Sequence, residues 1–198
     1  MEQLLEVPGI ECKIVKRIDR FVVEVEIDGK IEKAHINNTG RLKEYMVNDR
    51  KAYCVRIKPR KTGYRIFAVK DGKDAALIDT QLQMRAFEKC LELKAIPWLD
   101  CMNFKRNQRV NGSAIDYLLF CPEPIYLEVK SAAMRIGDTA MCPDCPTQRG
   151  RRHVMELVKV CGKYTTYILF IAAVPEVKAF RPNREADPVV GGTSPSSD

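Results

Sequence analysis

At 198 residues, 45% of them hydrophobic and 30% charged, the chain has the make-up of a soluble globular protein and enough material for one generous core or two modest ones. No apolar run approaches the roughly 20 residues that cross a bilayer, and residues 1–9 lack a basic-then-apolar leader, so the expectation is a cytoplasmic protein with no membrane partner. A formal net charge of +7 favours acidic partners, nucleic acid first among them.

The first eighty residues read as short strands. Phe21 to Ile27 alternates apolar and acidic positions, and Asp28-Gly29 turns the chain into Ile31 to Ile36. Ala52 to Ile57 and Tyr64 to Val69 continue the pattern, and Asp71-Gly72 turns into Ala75 to Ile78, with a brief helix near Leu42 to Met46. About five such strands over residues 1–82 predict an OB-like β-barrel, a fold that binds nucleic acid across one face. Between Arg50 and Arg65 lie seven Lys or Arg and no acid, interleaved with Tyr53 and Tyr64. Single-strand binders use such basic stripes with stacking aromatics. Arg41, Arg56, Lys58, Arg60, Lys61 and Arg65 are therefore candidate nucleic-acid contacts.

The texture changes over residues 83–190. Met84 to Lys94 has a helical period, with Phe87, Cys90 and Leu91 on one face, and Ile96-Pro97 ends it. Apolar strands follow at Ala114 to Cys121 and Ile125 to Val129. A second helix is predicted from Gln148 to Val160, with Thr147 as its N-cap. The near-continuous apolar run Tyr167 to Val174 reads as a central strand buried on both faces. Residues 191–198 are Gly, Ser and Pro with little to bury, and are predicted to be disordered. The fold class expected is thus α+β, a barrel followed by an α/β domain.

Of the eight cysteines, only Cys142 and Cys145 have metal-ligand spacing. His153 could add a third ligand, but no fourth is evident, so no zinc is expected. Without an export signal the cysteines read as reduced thiols, several of them buried as small hydrophobes.

Chemistry concentrates in the stretch from Asp116 to Lys130. Glu128 and Lys130 are two apart in a strand and share a face. With Pro122-Glu123-Pro124 as the hairpin loop, Cys121 opposes Ile125 and Asp116 falls opposite Lys130 on that same face. Two carboxylates would hold Mg²⁺ or Mn²⁺, which take few protein ligands, and a neighbouring lysine would stabilise charge on a phosphoryl group. A plain salt bridge is the simpler account of the spacing.

The pattern of Asp, ten to twenty residues, then Glu-x-Lys resembles the PD-(D/E)xK nuclease superfamily. Further stretches widen the likeness: Ala34-His-Ile-Asn-Asn-Thr-Gly-Arg-Leu-Lys-Glu44, Leu77-Ile-Asp-Thr-Gln-Leu82, Ser113-Ala-Ile-Asp-Tyr-Leu-Leu119, Leu127-Glu-Val-Lys-Ser131, Ala140 to Gly150, and Phe180-Arg-Pro-Asn183. On these the chain resembles the sugar fermentation stimulation protein family. The resemblance implies an OB-like barrel, a nuclease-type α/β domain and DNA binding, with single-stranded or branched DNA as candidate partners. It assigns Asp116, Glu128 and Lys130 to the acidic-lysine core, with Asp116 and Glu128 as metal ligands. Glu88 falls where the superfamily often has a helix carboxylate. Asp144, Arg149, His153 and Glu156 match the motif around the second helix; Arg149, Arg152 and His153 are candidate nucleic-acid contacts there, with Asp144 and Glu156 in support. Ala114, Met84 and Ala173 depart from the family's usual Arg, Asn and Gln. Two activities follow as expectations: a metal-dependent nuclease, or a DNA-binding regulator of sugar metabolism that keeps the fold without turnover.

Overall fold

The structure, a computed structural model, describes residues 3–58, 61–110, 112–146 and 148–187. Arg60, the predicted cap Thr147 and the tail 191–198 lie outside the described residues.

Strand β1 (Ile10–Arg17) opens a sheet that runs on through β2 (Val22–Ile27), β3 (Lys30–His35), β4 (Lys51–Arg56), β5 (Tyr64–Asp71) and β6 (Asp74–Leu77). Its order is β3-β2-β1-β4-β5-β6, and β3 also pairs with β5, which closes the first five strands into an OB barrel. Period-2 alternation fills the barrel: Cys12 and Ile14, Val23 and Val25, and Cys54 and Ile66 point inward. Removing one such side chain to alanine costs about 2–5 kcal/mol. β1 was not among the expected strands. The segment expected as a helix at Leu42 to Met46 is a single turn, with the Tyr45 and Met46 amides donating to the Leu42 carbonyl. Left-handed residues bound it on both sides, Leu42 at φ 50° at its start and Asp49 at φ 60° just beyond its end.

Helix α1 (Thr80–Glu92) starts four residues before the expected Met84, because Asp79 caps it by accepting from the Gln81 and Leu82 amides. Then come β7 (Asn103–Val110), β8 (Ser113–Phe120), β9 (Ile125–Ser131), β10 (Met134–Ile136), β11 (Thr139–Cys142), α2 (Gln148–Val160), β12 (Thr165–Ile171) and β13 (Ala179–Pro182). The predicted α2 and the observed one coincide. A four-stranded mixed sheet, β12-β9-β8-β7, carries α1 on one face and α2 on the other. Phe87 and Leu91 of α1 pack on Tyr117, Leu119 and Leu127, while Leu157 and Val160 of α2 pack on Tyr126 and Ile168. β10, β11 and β13 form a separate three-stranded sheet.

Three expectations need correction. β12 is the edge of its sheet, parallel to β9, and not a central strand. Its run is apolar because Ile168 and Phe170 meet one packed face and Leu169 and Ile171 the other, yet Tyr167 stays exposed. The β8–β9 ladder pairs Leu119, and not Cys121, with Ile125. Phe120 is instead paired to Asn103, and Cys121 is bonded to Cys101, so the end of β8 leans toward β7. That Cys101–Cys121 disulfide also overturns the expectation that all cysteines are reduced thiols.

Barrel and second part are not independent bodies. Ala132, Ala133, Ala140, Cys142 and Val174 are buried in one cluster with the barrel's core, and the Leu77 amide donates to the Ala173 carbonyl. Among the described residues no helix is long and apolar enough to cross a membrane.

Candidate active site

The two-residue register shift leaves every side chain on the face it was expected to take. Continuing the observed ladder from Tyr117 opposite Leu127 sets Asp116 beside Glu128. Their contacts are reciprocal: the Asp116 amide donates to Glu128 Oε2 at 3.3 Å, and the Val129 amide donates to Asp116 Oδ2 at 2.8 Å. The β7–β8 ladder has no pair at Asn107 and Asp116, where Asn107 adopts φ 53°. That gap releases the Asp116 amide from the sheet.

Glu128 is 2% exposed and carries two cationic or polar partners on one oxygen. Lys130 Nζ donates to its Oε1 at 2.6 Å, and His153 Nδ1, from the second turn of α2, lies 2.5 Å from the same atom. A carboxylate this deep requires such company, since an unpaired buried charge costs several kcal/mol by the usual range of roughly 3–5. Burial raises the Asp116 carboxyl above its ordinary range, and the adjacent Glu128 charge raises it further. Asp116 is thus the site's reluctant anion.

These residues form one wall of a cleft of about 550 Å³ between the two parts of the chain. The barrel supplies the other wall with Arg20, Phe21 and the loop Asn37 to Gly40; Arg149 stands at the rim. The loop is fastened from below. Asp144 Oδ2 accepts from the Leu42 amide at 2.9 Å, and its oxygens lie so close to Gly40 that a β-carbon there would meet them at 2.6 and 2.8 Å. Asp79 adds a second fastening by binding Asn37 Nδ2 at 2.7 Å and Arg65 Nε at 2.9 Å.

Several sequence candidates lie elsewhere. Glu88 is on the α1 face of the sheet, paired with Arg106 and accepting from the Tyr117 hydroxyl at 2.8 Å, so it does not reach the cluster. Glu156 pairs with Lys159 and lies outside the cleft, and His153, expected to contact nucleic acid, is buried against Glu128. Arg65 is held by Asp79, and Arg56 lies over the Tyr64 ring. Lys58, Lys61 and Arg152 are exposed and do not line the cleft, whereas Arg41 lines an adjoining cavity with Arg17 and Arg20. Sequence reasoning did not single out Arg20, Phe21, Asn37 or Asn38. For Asn37 and Asn38 the one signal was the stretch Ala34 to Glu44, quoted as a motif without a role.

Among the described residues no group of three or more His, Cys, Asp or Glu is arranged to hold a metal. Cys142 is buried, and that burial pushes its thiol up to about 12.

Fold and cleft together define an OB barrel joined to a mixed α/β domain, with a carboxylate-lysine cluster at the seam. Family models agree with that division: the SfsA N-terminal OB domain matches residues 15–78, and the sugar fermentation stimulation protein RE domain matches residues 81–194. The chain belongs to the sugar fermentation stimulation protein family. It is 47% identical to a sugar fermentation stimulation protein homolog of Archaeoglobus fulgidus over 179 residues, spanning 90% of this chain and 79% of that one. Identity is 44% to the Pyrococcus furiosus homolog, over 95% of this chain and 84% of the relative. A solved structure of Pyrococcus furiosus SfsA in complex with Ca²⁺ superimposes with a TM-score of 0.92 at 42% identity, covering 96% of this chain and 84% of that chain.

Proposed function

We propose that this protein is a cytoplasmic, divalent-cation-dependent nuclease acting on DNA, with Asp116, Glu128 and Lys130 as its catalytic group. The observation that supports it most directly is the convergence of a buried carboxylate, Glu128, a half-buried one, Asp116, and a lysine in a cleft walled on its other side by an OB barrel. The donor set suits a hard cation that keeps most of its waters, Mg²⁺ or Mn²⁺, since such ions need only one or two carboxylates. The related Pyrococcus protein, solved with Ca²⁺, fits an oxygen-ligand preference. A bound cation would supply Lewis acidity to a phosphodiester oxygen.

The chain's own groups do the rest. As a water oxygen bonds to phosphorus and the old P–O bond breaks, with the leaving sugar oxygen taking up a proton, Lys130 would place positive charge where negative charge grows on the phosphate. His153 fixes the Glu128 carboxylate from beneath, and Arg149, in the first turn of α2, offers a guanidinium to the backbone beside the helix amides. A non-catalytic DNA-binding regulator is the rival reading. It draws on one observation, that Lys130 and His153 both occupy Glu128 Oε1.

Purified protein incubated with single-stranded, duplex and branched DNA plus Mg²⁺ or Mn²⁺ separates the two. Metal-dependent cutting is expected from the wild type and from neither Glu128→Gln nor Lys130→Ala. In calorimetric titrations with Mn²⁺, Glu128→Gln should bind more weakly, and Lys130→Ala as tightly or tighter, because a competing cation is gone. Binding without cutting by the wild type would favour the regulator; cutting that survives both substitutions would end the assignment.

A further inference from the structure

The barrel wall of the cleft carries an aromatic ring that the catalytic group does not use. Phe21 is 46% exposed, in the turn that leads into β2. Its ring lies nearly parallel to the His35 imidazole, at 6.2 Å between centroids and 13° between planes. The backbone holds it in place from two sides. Its amide donates to Asp19 Oδ1 at 2.7 Å, and its carbonyl accepts from the Ile36 amide at 2.8 Å. Asp19 Oδ1 also takes the Val22 amide, so the turn into β2 is fixed around one carboxylate. Arg20, beside it, is exposed and lines both the cleft and the adjoining cavity with Arg41. Asp116, Glu128 and Lys130 line the same cleft.

We propose that Phe21, backed by His35 and flanked by Arg20, is a stacking platform that receives one unpaired base while the adjoining phosphate lies at the carboxylate-lysine cluster, so that the cleft selects single-stranded DNA. This rests on the nuclease reading for the kind of ligand, and adds its structure. A ring with one face backed by His35 presents its free surface to a base, and every base has a π-face to lay on it. In a duplex those faces are covered by neighbouring base pairs, so the platform has nothing to grip there. Arg20 supplies the charge for the backbone on the platform side, as Arg149 does at the α2 rim. The cleft volume of about 550 Å³ lies within the range of pockets that take nucleotide-sized ligands.

The test measures binding of fluorescein-labelled oligothymidylate and of a labelled duplex, in Ca²⁺, to the wild type, Phe21→Ala and Phe21→Trp. Phe21→Ala should weaken oligothymidylate binding by about 5- to 150-fold, the range for loss of one base–aromatic stack, and leave the duplex unchanged. Phe21→Trp should hold or improve the affinity, and its indole emission should fall on adding oligothymidylate. Thermal melts confirm that both variants fold. Equal losses on single strand and duplex, or no loss on the single strand, overturn the platform. Cutting assays on the same samples keep the two readings apart: wild-type cutting with an inert Phe21→Ala sinks only this inference, whereas a wild type that neither binds nor cuts any DNA sinks both.

Discussion

Replacing Gly40 with alanine puts one methyl group where the structure has no room for it. The added β-carbon would stand 2.6 Å from Asp144 Oδ2, 2.8 Å from Oδ1 and 3.0 Å from Cγ. Asp144 cannot swing aside without loss, because Oδ2 holds the amide of Leu42, a buried residue in the left-handed region. If the carboxylate moves, that amide is orphaned, at about 1–3 kcal/mol. If the loop moves instead, overpacking costs about 1–3 kcal/mol. Gly40→Ala should therefore destabilise by about 2 kcal/mol, the middle of both ranges. Asp144→Ala should cost a similar amount through loss of a charge-assisted hydrogen bond. The double variant should cost little more than Asp144→Ala alone, since two methyl groups can coexist where a methyl and a carboxylate cannot. Urea unfolding followed by circular dichroism reads all three, as midpoint shifts at constant slope. A Gly40→Ala change below ~0.5 kcal/mol, or strict additivity in the cycle, would refute the close-contact argument.

Asp116→Asn should stabilise the metal-free protein at neutral pH. Its folded-state value is raised by burial, so ionisation penalises the folded form. The penalty is present at neutral pH and disappears as pH falls below the ordinary carboxyl range, so the melting temperatures of variant and wild type should converge in acid. Reducing Cys101–Cys121, which closes a separation of 20 residues, should lower stability by about 3 kcal/mol on the loop-entropy estimate, read as a urea midpoint with and without reductant. A Cys142→Phe, Cys145→Ala protein should fold, carry no zinc by elemental analysis and bind DNA as the wild type does; iodoacetamide at neutral pH should label exposed Cys161 and spare Cys142. Replacing Lys58, Arg60 and Lys61 together with alanine should flatten the salt dependence of DNA binding; an unchanged slope would remove that loop from the interface.

The pairing of a barrel with an α/β domain could be read from alternation and turn residues, because strands such as β2 and helices such as α2 announce their faces locally. The grouping of Asp116, Glu128 and Lys130 was legible for the same reason: with a period of two, the even shift between expected and observed register keeps all three on one face. The register itself was not, since it depends on Phe120 meeting Asn103 and Cys121 meeting Cys101, contacts that local spacing does not encode. Edge or centre was equally hidden for β12, whose apolar run records what covers its faces and not how many neighbours it has. Glu88 shows the limit for single residues. Its place on α1 was approximately right, but the sheet lies between it and the cluster. The barrel's share of the cleft was missed because Arg20, Phe21 and Asn37 carry no chemistry as isolated letters; Asp19 fixes the turn that bears Phe21, and Asp79 and Asp144 fasten the Asn37 loop.

Those fastenings bear on how anything enters. Asp79 ties α1, β5 and the Asn37 loop to one carboxylate, Asp144 ties the next loop residues to the approach of α2, and five residues of the second part are sealed into the barrel's core. Swinging the barrel outward would tear all of these at once, so the two walls act as a fixed slot and not as jaws. Conformational adjustment then falls to the guest. A flexible polymer can thread such a slot without waiting for the protein to open, and its arrival is limited by its own bending and by long-range charge attraction. For a protein of net charge +7, capture should slow steeply with added salt while showing no lag from a closing step.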